Sequence, residues 1–147
     1  QKHEVRQMIR EMSASKAIIF STHILDEVDS VCSRALIIAE GKVVADDTPD
    51  GLRRRSALHG TVVLTLKGEG SRDVQQRIEG LDGVASVSAV DGVGDGTTLR
   101  IIPDDPQAPI ADRVIAAAGK DDSARIASVF VEKGRLDDVF RDITTAR

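Results

Sequence analysis

Residues Ala17–Ser33, AIIFSTHILDEVDSVCS, read as a short buried strand, a polar Ser-Thr-His step, and a helix that begins at once. Ala17–Phe20 is an uninterrupted apolar run, short enough for a strand covered on both faces. Ligands of layered α/β sheets bind beyond the carboxyl ends of the strands. Thr22 and His23 follow such an end, which sets a titratable ring in an exposed place. In the helix, Ile24, Val28, Val31 and Cys32 fall on one side and Asp26, Glu27 and Asp29 on the other. Asp26 and Glu27 lie in its first turn, where the helix dipole favours negative charge.

The pattern continues on both sides of this stretch. Val5, Met8, Ile9 and Met12 recur at i, i+3, i+4 and i+7, which predicts a helix burying one stripe. Ala35–Ala39 predicts a second apolar strand, and Glu40-Gly41-Lys42 a tight turn into a third at Val43–Ala45. Thr48-Pro49 predicts a helix start, with the hydroxyl as cap and Pro at the first helical position. Leu52 sits in that helix, and Arg53–Arg55 close it with charges suited to its end.

Around Ala57–Gly60 the style changes. Thr61–Leu66 alternates, with Val62, Leu64 and Leu66 on one face and Thr61 and Thr65 on the other, as in a half-buried strand. Ser71 is placed to cap a helix carrying Val74, Ile78 and Leu81. Strands are predicted at Val84–Val90 and Thr97–Ile102, joined by a turn over Asp91–Gly96. A helix around Ile110, Val114 and Ile115 follows, then a strand at Ser123–Val131. Leu136, Val139, Phe140 and Ile143 define a closing amphipathic helix. The second half therefore reads βαββαβ plus one helix, the ferredoxin-like pattern. Charge divides at the same place. Nine basic and nine acidic residues lie up to Leu58, against eleven and fifteen from His59 onward, so the second half supplies the whole net charge of −4.

That charge argues against a general nucleic-acid binder, which would carry a basic surface. No apolar run approaches the roughly 20 residues that span a bilayer. Cys32 is the only cysteine, so no internal disulfide can form, and with no secretory signal after Gln1 a reducing cytoplasm is expected. The three histidines are scattered and show no zinc spacing; His3 and His59 read as solvated. Asp26, Glu27 and Asp29 read as a solvated first turn rather than a metal site, and Cys32 as a small core residue.

Three segments in order carry a family resemblance: QKHEVRQMIREM (1–12), IIFSTHILDEVDSVCSR (18–34) and ALIIAEGKVVADDTPDGL (35–52). Together, Gln1–Leu52 resembles the last part of the ATP-binding subunit of ABC transporters. The second half is similar to the extra C-terminal domain of the drug, sodium and gliding-motility exporter subgroup. There the closing helix carries a Ser-Leu-Glu-Asp-Val-Phe-like motif, matched here by Arg135-Leu136-Asp137-Asp138-Val139-Phe140. Arg135 stands where that motif has Ser, which removes the usual cap residue but not the packing face.

The resemblance implies an α/β fragment over residues 1–57, the end of a nucleotide-binding domain. An α+β ferredoxin-like accessory domain with a C-terminal helix then covers residues 58–147. It implies that His23 is the switch histidine, which hydrogen-bonds the γ-phosphate of ATP, and that Thr22 orients the turn. An imidazole can donate to a phosphate oxygen, which a carboxylate there could not do without protonation. For the intact protein it implies ATP with Mg²⁺, a transmembrane permease subunit and a second ATP-binding subunit as homodimer partner. The expected location is cytoplasmic, peripheral on the inner face of a prokaryotic membrane, with no nucleic acid involved.

Three things such an ATPase needs do not occur in the sequence. There is no Gly-x-x-x-x-Gly-Lys-Ser/Thr loop to cradle phosphates, no apolar strand ending in Asp-Glu before Gln1's helix, and no Ser-Gly-Gly-Gln-like signature. Asp26-Glu27 is no substitute, since it follows the histidine on a helix. This chain alone is thus expected to bind no nucleotide and to be inactive. The alternative is a free-standing ferredoxin-like regulatory or dimerisation module with no ATP chemistry. Gly92, Gly94 and Gly96 have hairpin spacing, not that of a nucleotide loop, because no helix follows them.

Overall fold

Six helices and six strands lie along the described residues of the computed structural model, which are 2–90, 96–120 and 124–145. In chain order they are α1 (Lys2–Ser13), α2 (Leu25–Val31), β1 (Ala35–Ala39), β2 (Lys42–Asp47), α3 (Pro49–Arg53) and β3 (Val62–Lys67). There follow α4 (Ser71–Glu79), β4 (Val84–Val90), β5 (Thr97–Pro103), α5 (Ala111–Ala118), β6 (Arg125–Val131) and α6 (Leu136–Thr145). The chain divides into two units, Gln1–Arg53 with Leu136–Arg147, and Arg54–Arg135.

In the first unit β1 and β2 form an antiparallel hairpin closed by the pair Ala39–Lys42. Glu40 and Gly41 take φ of 51° and 75°. Positive φ at both central residues is what a type I′ turn demands, and its twist matches that of the strands it joins. Thr48 caps α3 as predicted: its hydroxyl accepts the Gly51 N–H at 3.0 Å, and Pro49 occupies the first turn. The core is small, made of Ile37, Ala45, Leu52 and Leu136, with Leu25, Val28, Ala35 and Ile143 packed against it.

Three sequence expectations for this unit differ from the structure. Ala17–Phe20 is not a strand; Ile19 is 97% exposed and Phe20 40%. An isolated strand leaves its backbone groups unpaired, and both sheets among the described residues are built from other segments. The α1 helix forms, but Val5, Met8 and Met12 of its stripe are exposed. The closing helix α6, grouped by sequence with the second half, packs on α3 and β2 of the first unit through Leu136 and its neighbours. Nothing in its own amphipathic pattern says which core will receive it.

The second unit is a four-stranded antiparallel sheet in the order β4-β5-β3-β6, with α4 and α5 supplying the helical layer. Its connectivity is βαββαβ. Alternation in β3 sends Val62, Leu64 and Leu66 into a core shared with Leu99, Ile101, Val74, Ile78, Ile110 and Val114. Val63 and Thr65 lie half-buried on the other face, where Thr65 meets the Thr98 hydroxyl at 3.3 Å. Gly60 enters this sheet with φ of 76°, and a Cβ there would stand 2.8 Å from the Pro106 carbonyl oxygen. Only glycine suits both demands.

Smaller corrections follow from the same unit. Ser71 does not cap α4 but is its first residue, donating instead to the Gly68 carbonyl at 3.0 Å. Ile115, placed in the predicted apolar stripe of α5, is 40% exposed, whereas Val114 is fully buried. His59 is held rather than solvated, with Nδ1 donating to the Lys133 carbonyl at 2.8 Å. The turn residues 91–95, including Gly92 and Gly94, and Ser123 of the predicted last strand lie outside the described residues.

Candidate functional site

His23 sits on a bend just before α2, exposed to solvent. Its place is fixed by Thr22, whose hydroxyl makes two bonds at once. It accepts the Ile24 N–H at 3.0 Å and donates to Glu27 Oε2 at 3.0 Å. Ile24 is the residue before the first helical one, so Glu27 is the third helical position. A glutamate there ordinarily reaches back to the backbone at the helix start. Here it reaches back to a hydroxyl two residues earlier, and the bend carrying His23 is latched between them. Glu27 as the hydrogen-bond partner of Thr22 was not expected. The five-residue spacing from Thr22 to Glu27 was the available signal.

The helix behind the bend is anchored at several points. Leu25 and Val28, rather than the predicted Ile24 and Val31, are the side chains it packs against the core. Ile24 is left 38% exposed because the helix starts one residue later. Asp29 and Asp50 both hold the Arg53 guanidinium, which ties α2 to α3. Arg10 reaches from α1 to donate to the Ser30 carbonyl at 2.8 Å. Between α1 and α2 lies an open groove of about 330 Å³, lined by His3, Arg6, Gln7, Arg10, Asp29 and Ser30, which does not include His23.

Two of the acidic residues after His23 are already engaged, Glu27 by Thr22 and Asp29 by Arg53, while Asp26 is exposed. Among the described residues no group of three His, Cys, Asp or Glu side chains could hold a metal ion. The residues present do not fit a magnesium site, and beside the latch the exposed His23 ring can donate to a phosphate oxygen. Cys32, next to the C-terminal end of α2, is partly buried, and burial pushes its thiol pKa up. A thiol so placed has less thiolate at neutral pH, which suits a packing role.

At the edge of the hairpin, Arg34 grips Asp46 with two nitrogens, each 2.7 Å from a carboxylate oxygen. The hydrogen bond from Arg34 holds the Asp46 carboxyl below the usual aspartate range. A depressed carboxyl contributes stability above its unfolded pKa and loses it as pH falls through the folded one. The pair is exposed, so the contribution is small and screened by salt. Carbon-detected NMR titration should give an Asp46 midpoint below that of an ordinary aspartate. R34A should return it to normal; an unmoved midpoint would show that the pair does not persist in solution.

With this geometry in place, known proteins supply the comparison. The chain is 31% identical, over 98% of its own length, to the daunorubicin resistance ATP-binding protein DrrA2 of Streptomyces coeruleorubidus. It is related in sequence to ATP-binding proteins of ABC transporters. Two Dictyostelium discoideum proteins match shorter stretches. ABC transporter A family member 11 is 32% identical over 37% of this chain, and member 6 is 29% identical over 46%. No family model matches the sequence. The chain spans 43% of the length of the Streptomyces protein and 6% and 4% of the two Dictyostelium ones. No helix among the described residues is long and apolar enough to cross a membrane.

Proposed function

We propose that this chain is the trailing portion of the ATP-hydrolysing subunit of an ABC-type exporter. The observation that carries the reading is the latch at Thr22 and Glu27, which presents His23 to solvent immediately before a helix anchored on both neighbours. In the intact subunit His23 is the ring that donates to the γ-phosphate of ATP. The parts that grip triphosphate and magnesium come from sequence ahead of this chain. The exposed Val5, Met8, Met12, Ile19 and Phe20 support this, because they are the surface such a preceding portion would cover.

The Arg54–Arg135 unit is a ferredoxin-like accessory domain. Its βαββαβ connectivity and its β4-β5-β3-β6 order support that assignment. It serves to stabilise or regulate a pair of ATP-binding subunits beneath a membrane-embedded permease, on the cytoplasmic side. The deciding test is the reading frame upstream of Gln1. A Gly-x-x-x-x-Gly-Lys-Ser/Thr loop is expected there, and a frame without one would leave the free-standing regulatory module as the better reading.

For the chain in hand, titration calorimetry with ATP and Mg²⁺ is expected to show no specific binding. One exposed imidazole cannot replace a phosphate-cradling loop and a metal. Micromolar affinity would mean that the nucleotide site is differently built.

A further inference from the structure

Strand β4 has the sequence Val84-Ala85-Ser86-Val87-Ser88-Ala89-Val90, which reads the same in both directions about Val87. It stands at one edge of the four-stranded sheet, with β5 as its strand neighbour. Edge strands present unpaired N–H and C=O groups, and proteins ordinarily guard them with charges, proline, bulges or a cover. β4 has neither a charge nor a proline, and Ala85, Ser86, Ser88 and Ala89 are exposed. Its register irregularity lies at Ala85, near its start, so Ser86–Val90 remains a regular run.

The opposite edge is built differently. β6 begins with Arg125, and its irregularity falls in mid-strand, between the partners of Thr65 and Leu66. A bulge there twists the edge away from further pairing.

We propose that β4 pairs antiparallel with β4 of a second copy of this chain, about a two-fold axis through Val87, making one continuous eight-stranded sheet. The inference rests on the dimer reading above and names its surface and register. Pairing about Val87 sets Ser86 opposite the partner's Ser88 and Val87 opposite its own counterpart, and the irregularity at Ala85 ends the regular pairing on either side. An antiparallel two-fold normal to the sheet keeps each face continuous. Val87, paired with Ile101, continues the helix-covered face, and Ser86 and Ser88, paired with Ile102 and Arg100, the other. α4, which packs on β4, then lies beside its symmetry mate, and its exposed Arg72, Asp73 and Glu79 carry both signs of charge. No like-charge surface opposes the contact.

The test uses the full 147-residue chain in sedimentation equilibrium up to millimolar concentration. A reversible dimer is expected. S86K with S88K, both on exposed positions, sets lysine opposite lysine twice and should weaken it by about tenfold. Far-UV circular dichroism should be unchanged. The register is tested separately by cross-linking in a C32S background. A mixture of S86C and S88C chains should form a disulfide far more readily than either alone. Directly opposed residues lie about 5 Å apart at Cβ and diagonal ones about 7–8 Å, and only the first is within disulfide reach. A monomer at every concentration overturns the proposal. A dimer that ignores both lysines, or cross-links without the mixed preference, overturns this edge as its site while leaving association itself standing.

Discussion

Leu64→Ala is expected to destabilise the Arg54–Arg135 unit by about 3–4 kcal/mol, the range for removing a fully enclosed leucine. Leu64 lies in an interior strand, fully buried, with Leu99 and Val129 as its cross-strand neighbours. It faces the helical layer, so its loss opens a cavity between sheet and helices that neighbours on three strands cannot all move to fill. In a unit of this size, that cost corresponds to a fall in melting temperature of roughly 12–32 °C. Thr65→Ala, on the half-buried face, should cost about 1 kcal/mol or less, since it gives up one neutral hydroxyl contact. Urea unfolding followed by circular dichroism reads both. If the two variants cost the same, the helix-covered face is not the core of this unit.

The contrast between these neighbours was legible in sequence because alternation in a strand is a local signal. Val62, Leu64 and Leu66 announce a covered face whatever strand lies beside them, and β4, β5 and the β1–β2 hairpin were equally plain. Thr48-Pro49 was legible for the same reason, a cap being settled within four residues. What sequence did not disclose is where a surface goes. Ala17–Phe20 has the composition of a buried strand, yet it has no strand beside it, and composition alone cannot make a sheet. The stripe on α1 and the stripe on α6 look alike as patterns; one stays exposed and the other seals the Leu52 core. Period tells which side of a helix is apolar, while partner choice depends on packing that no single window contains. The candidate site divides similarly. His23 and Thr22 stood out as a polar step after an apolar run, whereas the hold of Arg53 on Asp29 joins residues 24 positions apart and left no local trace.

In the intact ATP-binding subunit proposed above, His23→Ala is expected to lower ATP hydrolysis about a hundredfold or more, the loss typical of one donor aimed at developing charge. Nucleotide affinity should change little, because the phosphate-cradling groups lie elsewhere and a donor that matters mainly in the transition state adds little to ground-state binding. His23→Gln keeps a neutral donor at the same bend and should fall less far than His23→Ala. The ring is exposed and packs into no core, so folding should be unaffected in either variant. Single-turnover hydrolysis beside equilibrium nucleotide binding separates the outcomes. A parallel loss of binding and turnover would make His23 a general binding contact rather than a group acting at the transferring phosphate. Unchanged turnover would leave the Thr22–Glu27 latch as a helix start, with the imidazole it presents serving no phosphate.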